Sequence, residues 1–182
     1  MKALVVIDVQ EEYAPSGALP VERFDETVSK IEELLAAARS SSEGVKVVHV
    51  RHVSHAIGDS SFDAGGTGVS IVERVAPVKD EYVLTKQYPG AFSNPALDRF
   101  LIRNNVREVF VCGLTSFLCC DMTSREAFQL GYDVYYIEDA ISEFSLGELS
   151  AGTLHKAISA IQGIMFSQVV TTADAVKLLR RN

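Results

Sequence analysis

Two adjacent cysteines, Cys119 and Cys120, follow a short apolar segment that is typical of a buried strand. The segment, residues 109–112, leads into a turn at Gly113, and a helical pattern begins close to the two thiols. A thiol near the first turn of a helix lies beside unpaired N–H groups and a partial positive charge. Such surroundings lower a cysteine pKa from about 8.5 to about 3.5–7.5, so this pattern predicts a reactive thiolate.

Further polar side chains stand where other predicted strands end. Asp8 follows the first strand, Arg51 and His52 end the second, and Lys86 ends the third. Open α/β sheets bind ligands at the carboxyl ends of their strands, so we expect Asp8, Lys86 and Cys119 to converge. Asp8 would then act as a general base for the thiol, and Lys86 would stabilise the thiolate. With backbone N–H groups holding an oxyanion, the chemistry would be acyl transfer without histidine.

Each of these residues also has an ordinary structural interpretation. Asp8 alone could cap a turn, and Lys86 alone could be a surface charge. A buried cysteine is usually inert packing, which is the role we expect for Cys112. Only one of Cys119 and Cys120 can face a given crevice, because successive helical residues point about 100° apart. A redox role for the pair is disfavoured, since adjacent cysteines on a helix bridge only with strain.

The elements that must position these residues alternate along the chain. Six near-continuously apolar segments predict strands covered on both faces, at residues 3–8, 45–50, 82–85, 108–112, 133–138 and 166–170. Helical patterns lie between most of them, at 22–39, 94–104, 119–130, 149–161 and 172–180, the last capped by Thr172. The alternation predicts an α/β fold with a parallel sheet and helices on both faces. In the doubly wound order 3-2-1-4-5-6, the first and fourth strands flank the crevice, which places Asp8 beside Cys119.

One connection is much longer than the others. Residues 52–80 are rich in Gly, Ser and Asp and leave from the carboxyl end of the second strand. Long loops of this kind in compact domains are usually functional or disordered. A tolerated surface insertion is the plain alternative, and a lid over the site is slightly favoured because of where the segment begins.

Composition excludes several classes of function. The chain has 182 residues and a net charge of −7, and apart from Arg180-Arg181 it has no basic cluster, so we expect no nucleic-acid partner. No apolar run approaches a membrane span, and the first strand begins at Lys2, so we expect neither a membrane segment nor a signal peptide. Three cysteines cannot make a disulfide framework, which favours a reducing cytoplasm. No linker or repeat divides the chain, so we expect one domain over residues 1–182.

Three ordered motifs carry a resemblance to a known family. They are LVVIDVQEEY near the start, TKQYPGAF in the middle, and CGLTSFLCCDMTSREAFQLGYDVYYIEDA in the second half. Together they resemble the isochorismatase-like cysteine hydrolases, a superfamily that includes nicotinamidases, N-carbamoylsarcosine amidases and streptothricin hydrolases. The resemblance runs over essentially the whole chain and implies a Rossmann-like fold with a six-stranded doubly wound sheet.

The resemblance also implies roles for individual residues. Asp8 matches the general base, Lys86 the catalytic lysine and Cys119 the nucleophile, while Cys120 falls on a buried position. A cis peptide is implied between Leu114 and Thr115, with the N–H groups of Thr115 and Cys119 binding the oxyanion. The positions that match the lining of the family's substrate pocket are Gln10, Tyr13 and Phe92.

Some residues depart from the family pattern. Ser116 replaces the usual threonine, and Phe117 stands where Asn or His is common, so we expect Phe117 to influence substrate choice. Nicotinamidases carry a D-x-H metal motif after the second strand, whereas this chain has His52 and His55 there without the aspartate. Two histidines could bind zinc, but solvated loop histidines are favoured, and we expect no metal and no cofactor.

The sequence therefore predicts a cysteine hydrolase that cleaves a C–N bond of a small amide, carbamoyl or ureido compound through a thioester at Cys119. The VRHVS and GALP segments resemble metal-free amidase branches, and the resemblance implies a homo-oligomer, either a dimer or a tetramer. One alternative is hydrolysis of a vinyl ether by acid catalysis from Asp8, as in true isochorismatases, which need no cysteine. Another is an inactive binding module on the same fold.

Overall fold

The computed structural model describes residues 1–42, 44–54 and 61–181. Within these ranges six strands form one sheet: β1 (Lys2–Ile7), β2 (Lys46–His52), β3 (Tyr82–Lys86), β4 (Glu108–Leu114), β5 (Asp133–Ser142) and β6 (Gln168–Val170). All pairings are parallel, and the strand order is β3-β2-β1-β4-β5-β6. The predicted α/β class and doubly wound order are confirmed.

Helices cover both faces of this sheet. They are α1 (Phe24–Arg39), α2 (Ala96–Arg103), α3 (Asp121–Gln129), α4 (Ala151–Ile161) and α5 (Thr172–Arg180). One apolar cluster joins α1 and α5 to one side of the sheet, and a second joins α2 and α3 to the other, with α4 at its margin. The central strand β1 is continuously apolar because its residues alternate between these two clusters. Leu4 and Val6 belong to the first cluster, Val5 and Ile7 belong to the second, and all four are buried.

Several boundaries differ from those predicted. The strand predicted at 166–170 begins only at Gln168, because residues Gln162–Phe166 form a π-helical turn that continues α4. The cap of α5 is Thr171, whose side chain accepts the N–H of Asp174, so the prediction of Thr172 was wrong. The hydroxyl of Thr172 instead donates to Asp139 at 2.8 Å.

Strand β4 passes unusually close to β1 at a glycine. Gly113 has φ +124°, and a Cβ built on it would lie 2.0 Å from the carbonyl oxygen of Ile7. A side chain therefore has no room at this position, and the positive φ is one that L residues rarely adopt. This close approach brings the turn after β4 next to the end of β1.

The long connection folds back along the segment that follows β1. Glu11 and Glu12 donate backbone N–H groups to the carbonyls of Ser70 and Gly68, and Val72 donates to Val9, at 2.9–3.0 Å. These bonds fix the 68–72 part of the connection against the sheet edge. In the parts of the chain described above, no helix is both long and apolar enough to span a bilayer.

Candidate active site

Asp8 lies directly after β1, at the predicted carboxyl edge of the sheet. Its backbone has φ +49°, and its N–H donates to the carbonyl of Val50 on the neighbouring strand at 2.9 Å. Aspartate tolerates this left-handed conformation better than most residues. The bend ends the strand and leaves the carboxylate fully buried.

Lys86 brings the three predicted residues together. It ends β3, two strands away from β1, and its Nζ lies 2.7 Å from Oδ2 of Asp8 and 3.4 Å from Sγ of Cys119. The exposed fractions are 0% for Asp8, 2% for Lys86 and 5% for Cys119. A carboxylate, an ammonium and a thiol thus meet in a nearly dry site, where their electrostatic interactions are little screened.

The ammonium has a further partner that sequence reasoning did not assign. Lys86 Nζ lies 3.2 Å from Nδ1 of His52, at the end of β2. The two residues are register partners in the parallel pairing of β2 and β3, so their side chains lie on the same face. Both had been placed at strand ends from the sequence, and the strand register was the missing information.

The pKa of the Cys119 thiol differs from the sequence-based prediction. Burial raises the pKa of Cys119 above its ordinary value, the charge of Asp8 raises it further, and Lys86 opposes both effects. The predicted lowering of this pKa was wrong for the resting site. Helix α3 begins only at Asp121, and Cys119 lies instead in a π-helical turn, Ser116–Cys120, where burial dominates.

Asp8 and Lys86 each shift the pKa of the other, Lys86 downwards for Asp8 and Asp8 upwards for Lys86. Burial raises the pKa of Asp8 above its ordinary value, and the positive charge of Lys86 limits the rise. For Lys86, burial lowers the pKa, but the charges of Asp8 and Cys119 outweigh this and the net shift is upward. Lys86 therefore remains an ammonium in the buried site.

The turn that carries the cysteine pair separates the two thiols. The peptide bond between Leu114 and Thr115 is cis, as the resemblance implies. The carbonyl of Thr115 accepts the N–H groups of Leu118 and Cys120 at 3.4 and 3.1 Å. Cys120 is fully buried, and the hydrogen bond from Lys86 goes to Cys119.

Gln10 lies in the site region with its amide engaged by backbone groups. Its Oε1 accepts the N–H of His52 at 2.7 Å, and its Nε2 donates to the carbonyls of His52 and Val69 at 2.9 and 3.0 Å. The side chain thus holds the end of β2 and the long connection together. The prediction that Gln10 binds substrate stays a prediction.

Tyr13 is buried beneath the long connection. Its ring meets that of Phe62 edge to face, with centroids 5.2 Å apart, and Phe62 meets the His52 ring in the same way at 5.0 Å. Burial raises the pKa of Tyr13, and the negative charge of Asp8 adds to the effect. Phe62, which sequence reasoning did not single out, therefore joins the connection to the site.

Phe92 and Phe117, the two aromatic residues expected to bind substrate, are both half-buried. The N–H of Phe92 donates to Oε2 of Glu126 at 3.2 Å, which anchors the loop after β3 to α3. The Phe117 ring meets that of Phe144 edge to face, with centroids 5.3 Å apart. Phe117 lies two residues before Cys119, and Phe144, which its ring contacts, follows β5.

The possible zinc pair cannot be assessed as a pair, because His55 lies outside the described residues. Of that pair, His52 has its Nδ1 at the Lys86 ammonium. Within residues 1–42, 44–54 and 61–181, no group of three His, Cys, Asp or Glu side chains is arranged to hold a metal ion.

Proteins of similar sequence carry related descriptions. YddQ of Bacillus subtilis, described as an uncharacterized isochorismatase family protein, is 32% identical over 96% of this chain and 98% of its own length. The ureidoacrylate amidohydrolase RutB of Azorhizobium caulinodans is 27% identical over 94% of this chain and 87% of its own length. The streptothricin hydrolase of Streptomyces noursei is 31% identical over 80% of this chain and 51% of its own length.

Solved structures agree with the sequence comparison. A cysteine hydrolase from Pseudomonas syringae pv. phaseolicola superposes with a TM-score of 0.90 at 27% identity, covering 98% of this chain and 92% of that one. An isochorismatase from Pseudomonas putida gives a TM-score of 0.88 at 32% identity, covering 95% and 89%. The model of the isochorismatase domain matches residues 2–174. The chain therefore belongs to the isochorismatase family of hydrolases.

Proposed function

We propose that this protein hydrolyses a C–N bond of a small amide, carbamoyl or ureido compound through a thioester at Cys119. The observation that carries the proposal is the buried Lys86 ammonium, 2.7 Å from the Asp8 carboxylate and 3.4 Å from the Cys119 sulfur. A base, a cation and a nucleophile at these distances are the parts that covalent acyl transfer requires.

The first half-reaction forms the acyl-enzyme. Asp8 takes the proton of the Cys119 thiol as Sγ attacks the substrate carbonyl carbon, and the N–H groups of Thr115 and Cys119 bind the oxyanion. Asp8 then gives that proton to the substrate nitrogen as the C–N bond breaks. The amine leaves, and the acyl group remains on sulfur.

The second half-reaction regenerates the thiol. Asp8, ionised again, takes a proton from a water molecule whose oxygen attacks the thioester carbonyl. The C–S bond breaks, the acid leaves, and the proton returns from Asp8 to the Cys119 sulfur. Lys86 offsets the negative charge on whichever of the two groups carries it.

The relatives support this class of reaction. RutB is named for an amidohydrolase activity on ureidoacrylate, and the Streptomyces protein for hydrolysis of streptothricin. A cysteine hydrolase is among the structures that superpose on this chain. Phe117, which lies in the same turn as Cys119, is the residue that we propose selects the substrate within this class.

The test is to incubate the protein with a library of small amides and ureides, quench with acid, and measure intact mass. We expect a mass increase equal to one acyl group, located on Cys119 by peptide mapping. Cys119→Ala should abolish turnover, whereas Cys120→Ala should retain most of it, because Cys120 is a buried packing residue.

Other outcomes would contradict the proposal. Turnover that survives Cys119→Ala would instead favour acid-catalysed ether hydrolysis by Asp8. A Cys119 thiol that titrates with an ordinary pKa, unchanged in Lys86→Ala, would indicate an inactive binding module.

A further inference from the structure

The environment of Lys86 assigns one of its three ammonium hydrogens to a residue outside the proposed catalytic trio. An ammonium group has three N–H donors and no acceptor. Three acceptor groups surround it, namely the Asp8 carboxylate at 2.7 Å, the Cys119 sulfur at 3.4 Å and Nδ1 of His52 at 3.2 Å. The contact with Asp8 is an ion pair, and the contacts with Cys119 and His52 are hydrogen bonds that the ammonium donates.

These contacts determine the protonation state of the His52 imidazole. Because the Lys86 ammonium can only donate, Nδ1 of His52 must accept, so the ring proton lies on Nε2 and the imidazole is neutral. A doubly protonated imidazole would place a second cation 3.2 Å from the ammonium. His52 therefore contributes a lone pair to this contact and adds no charge to the site.

The imidazole is held in place from two directions. The amide of Gln10 binds both the N–H and the carbonyl of His52, at 2.7 and 2.9 Å, which fixes the backbone at the end of β2. The ring of Phe62 meets the imidazole edge to face at 5.0 Å. Both contacts come from segments that are not part of the trio, so the orientation of the ring is set independently of Asp8 and Cys119.

We infer that His52 is a positioning residue for Lys86, holding the ammonium in contact with both Asp8 and Cys119. The effect of His52 on catalysis rests on the proposed function, whereas the contact between His52 and Lys86 does not depend on it. Through Phe62 and Gln10, His52 also connects the long segment after β2 to the nucleophile. The region that contains the family's metal motif would here serve the lysine.

Removing the acceptor should weaken the support that Lys86 gives to the sulfur. With one N–H left without a partner, the ammonium rotates on its flexible stem to satisfy it, and the contacts to Asp8 and Cys119 lengthen. Since Lys86 opposes the rise of the Cys119 pKa, the thiolate should then form less readily. A hydrogen bond to a charged group corresponds to a roughly tenfold to hundredfold effect on an equilibrium.

The experiment measures the rate of Cys119 alkylation by iodoacetamide between pH 6 and pH 10, with the modified cysteine identified by peptide mapping. His52→Leu removes the acceptor, and His52→Asn places an amide oxygen near the position of Nδ1. His49→Asn is the matched control, because His49 is also on β2 but contacts Glu81 at 2.9 Å. His52→Ala provides a second acceptor-free variant, without a bulky replacement.

We expect His52→Leu and His52→Ala to shift the alkylation profile to higher pH and to slow alkylation at pH 8 by about tenfold. His52→Asn should recover most of the rate, and His49→Asn should match the wild type. Once a substrate is identified, kcat should fall in parallel while KM changes little. A wild-type profile in both acceptor-free variants, or an Asn variant as slow as the Leu variant, would overturn the inference.

The alkylation assay needs no substrate, so the two proposals can fail separately. If no amide forms a thioester but the His52 variants still shift the profile, the proposed function fails and the positioning role stands. If the thioester forms and the variants alkylate as the wild type does, the positioning role fails alone.

Discussion

The buried pair of Asp8 and Lys86 can be tested without any substrate, by replacing the lysine with methionine. Lys86→Met keeps the length of the apolar stem and removes the charge from a group whose side chain is fully buried beside Asp8. The variant leaves the Asp8 carboxylate without its counter-ion at 2.7 Å. Such an uncompensated buried charge is costly, because little solvent is available to replace the partner.

The magnitude follows from the burial of both groups. Removing one partner of a buried ion pair typically costs about 3–5 kcal/mol of unfolding free energy. In urea, at about 2 kcal/mol per molar, this corresponds to a midpoint lower by roughly 2 M. The loss should depend on pH, because burial already raises the pKa of Asp8 and the missing cation removes the opposing effect.

The stability of Lys86→Met should decrease as pH rises. In Lys86→Met the folded state binds a proton on Asp8 at pH values where the unfolded chain has released it. Folding is therefore favoured at low pH, and stability falls as pH rises from the unfolded pKa, about 3.9, through the raised folded value. The variant should be closer to the wild type at pH 5 than at pH 8.

The assay is urea unfolding followed by circular dichroism at both pH values, with the double variant Asp8→Asn/Lys86→Met as the matched control. The double variant carries neither charge, so it should be more stable than Lys86→Met at pH 8. Equal midpoints for the wild type and Lys86→Met at pH 8, or a double variant weaker than the single one, would refute the argument that these two charges depend on each other.

Three further predictions concern the thiol, the close strand contact and an ion pair. Asp8→Asn should accelerate iodoacetamide alkylation of Cys119 at pH 8 even though it abolishes turnover, because the Asp8 charge raises the thiol pKa; slower alkylation would contradict this. Gly113→Ala should yield no cooperatively folded protein in a thermal melt, since its Cβ would lie 2.0 Å from the backbone of β1; a wild-type melt would show that the strands can separate. Although partial burial opposes it, the bonds from Arg39 and other donors lower the pKa of Glu81 to about 2. The stability advantage of the wild type over Glu81→Gln should therefore be full at pH 7 and decline as pH falls from about 4.5 towards 2, and an advantage independent of pH would contradict this.

The parts of the structure that follow from local pattern could be predicted from the sequence. Strands covered on both faces are continuously apolar, and helices with one apolar stripe follow them, so the class and the sheet order were predicted correctly. The convergence of Asp8 and Lys86 followed from the rule that parallel strands end at one edge. The catalytic interpretation of each residue was implied by the resemblance of three motifs along the chain, and it stays a prediction.

The errors concern properties that depend on the tertiary environment. The pKa of Cys119 was predicted to be low from its nearness to a helix start, but its burial and the charge of Asp8 depend on strands distant in sequence. The contact of His52 with Lys86 depends on the register of β2 against β3, which no local pattern reveals. Phe62 lies in a segment without periodicity, so nothing in the sequence indicated that its ring reaches His52.

The raised pKa of the thiol changes how the site should be understood. In the mechanism proposed above, the site contains one carboxylate, one ammonium and a neutral thiol before proton transfer; afterwards it would contain a neutral carboxyl, the same ammonium and a thiolate. The net charge is the same in both states, and Lys86 contacts both groups that carry the negative charge in turn. The proposed mechanism therefore does not require a stable resting thiolate, because Lys86 stabilises the negative charge on either group. A neutral His52 is consistent with this mechanism, since a second cation beside Lys86 would favour one of these two protonation states over the other. When the negative charge next moves to the substrate oxygen, the proposed mechanism assigns its stabilisation to the backbone N–H groups of Thr115 and Cys119.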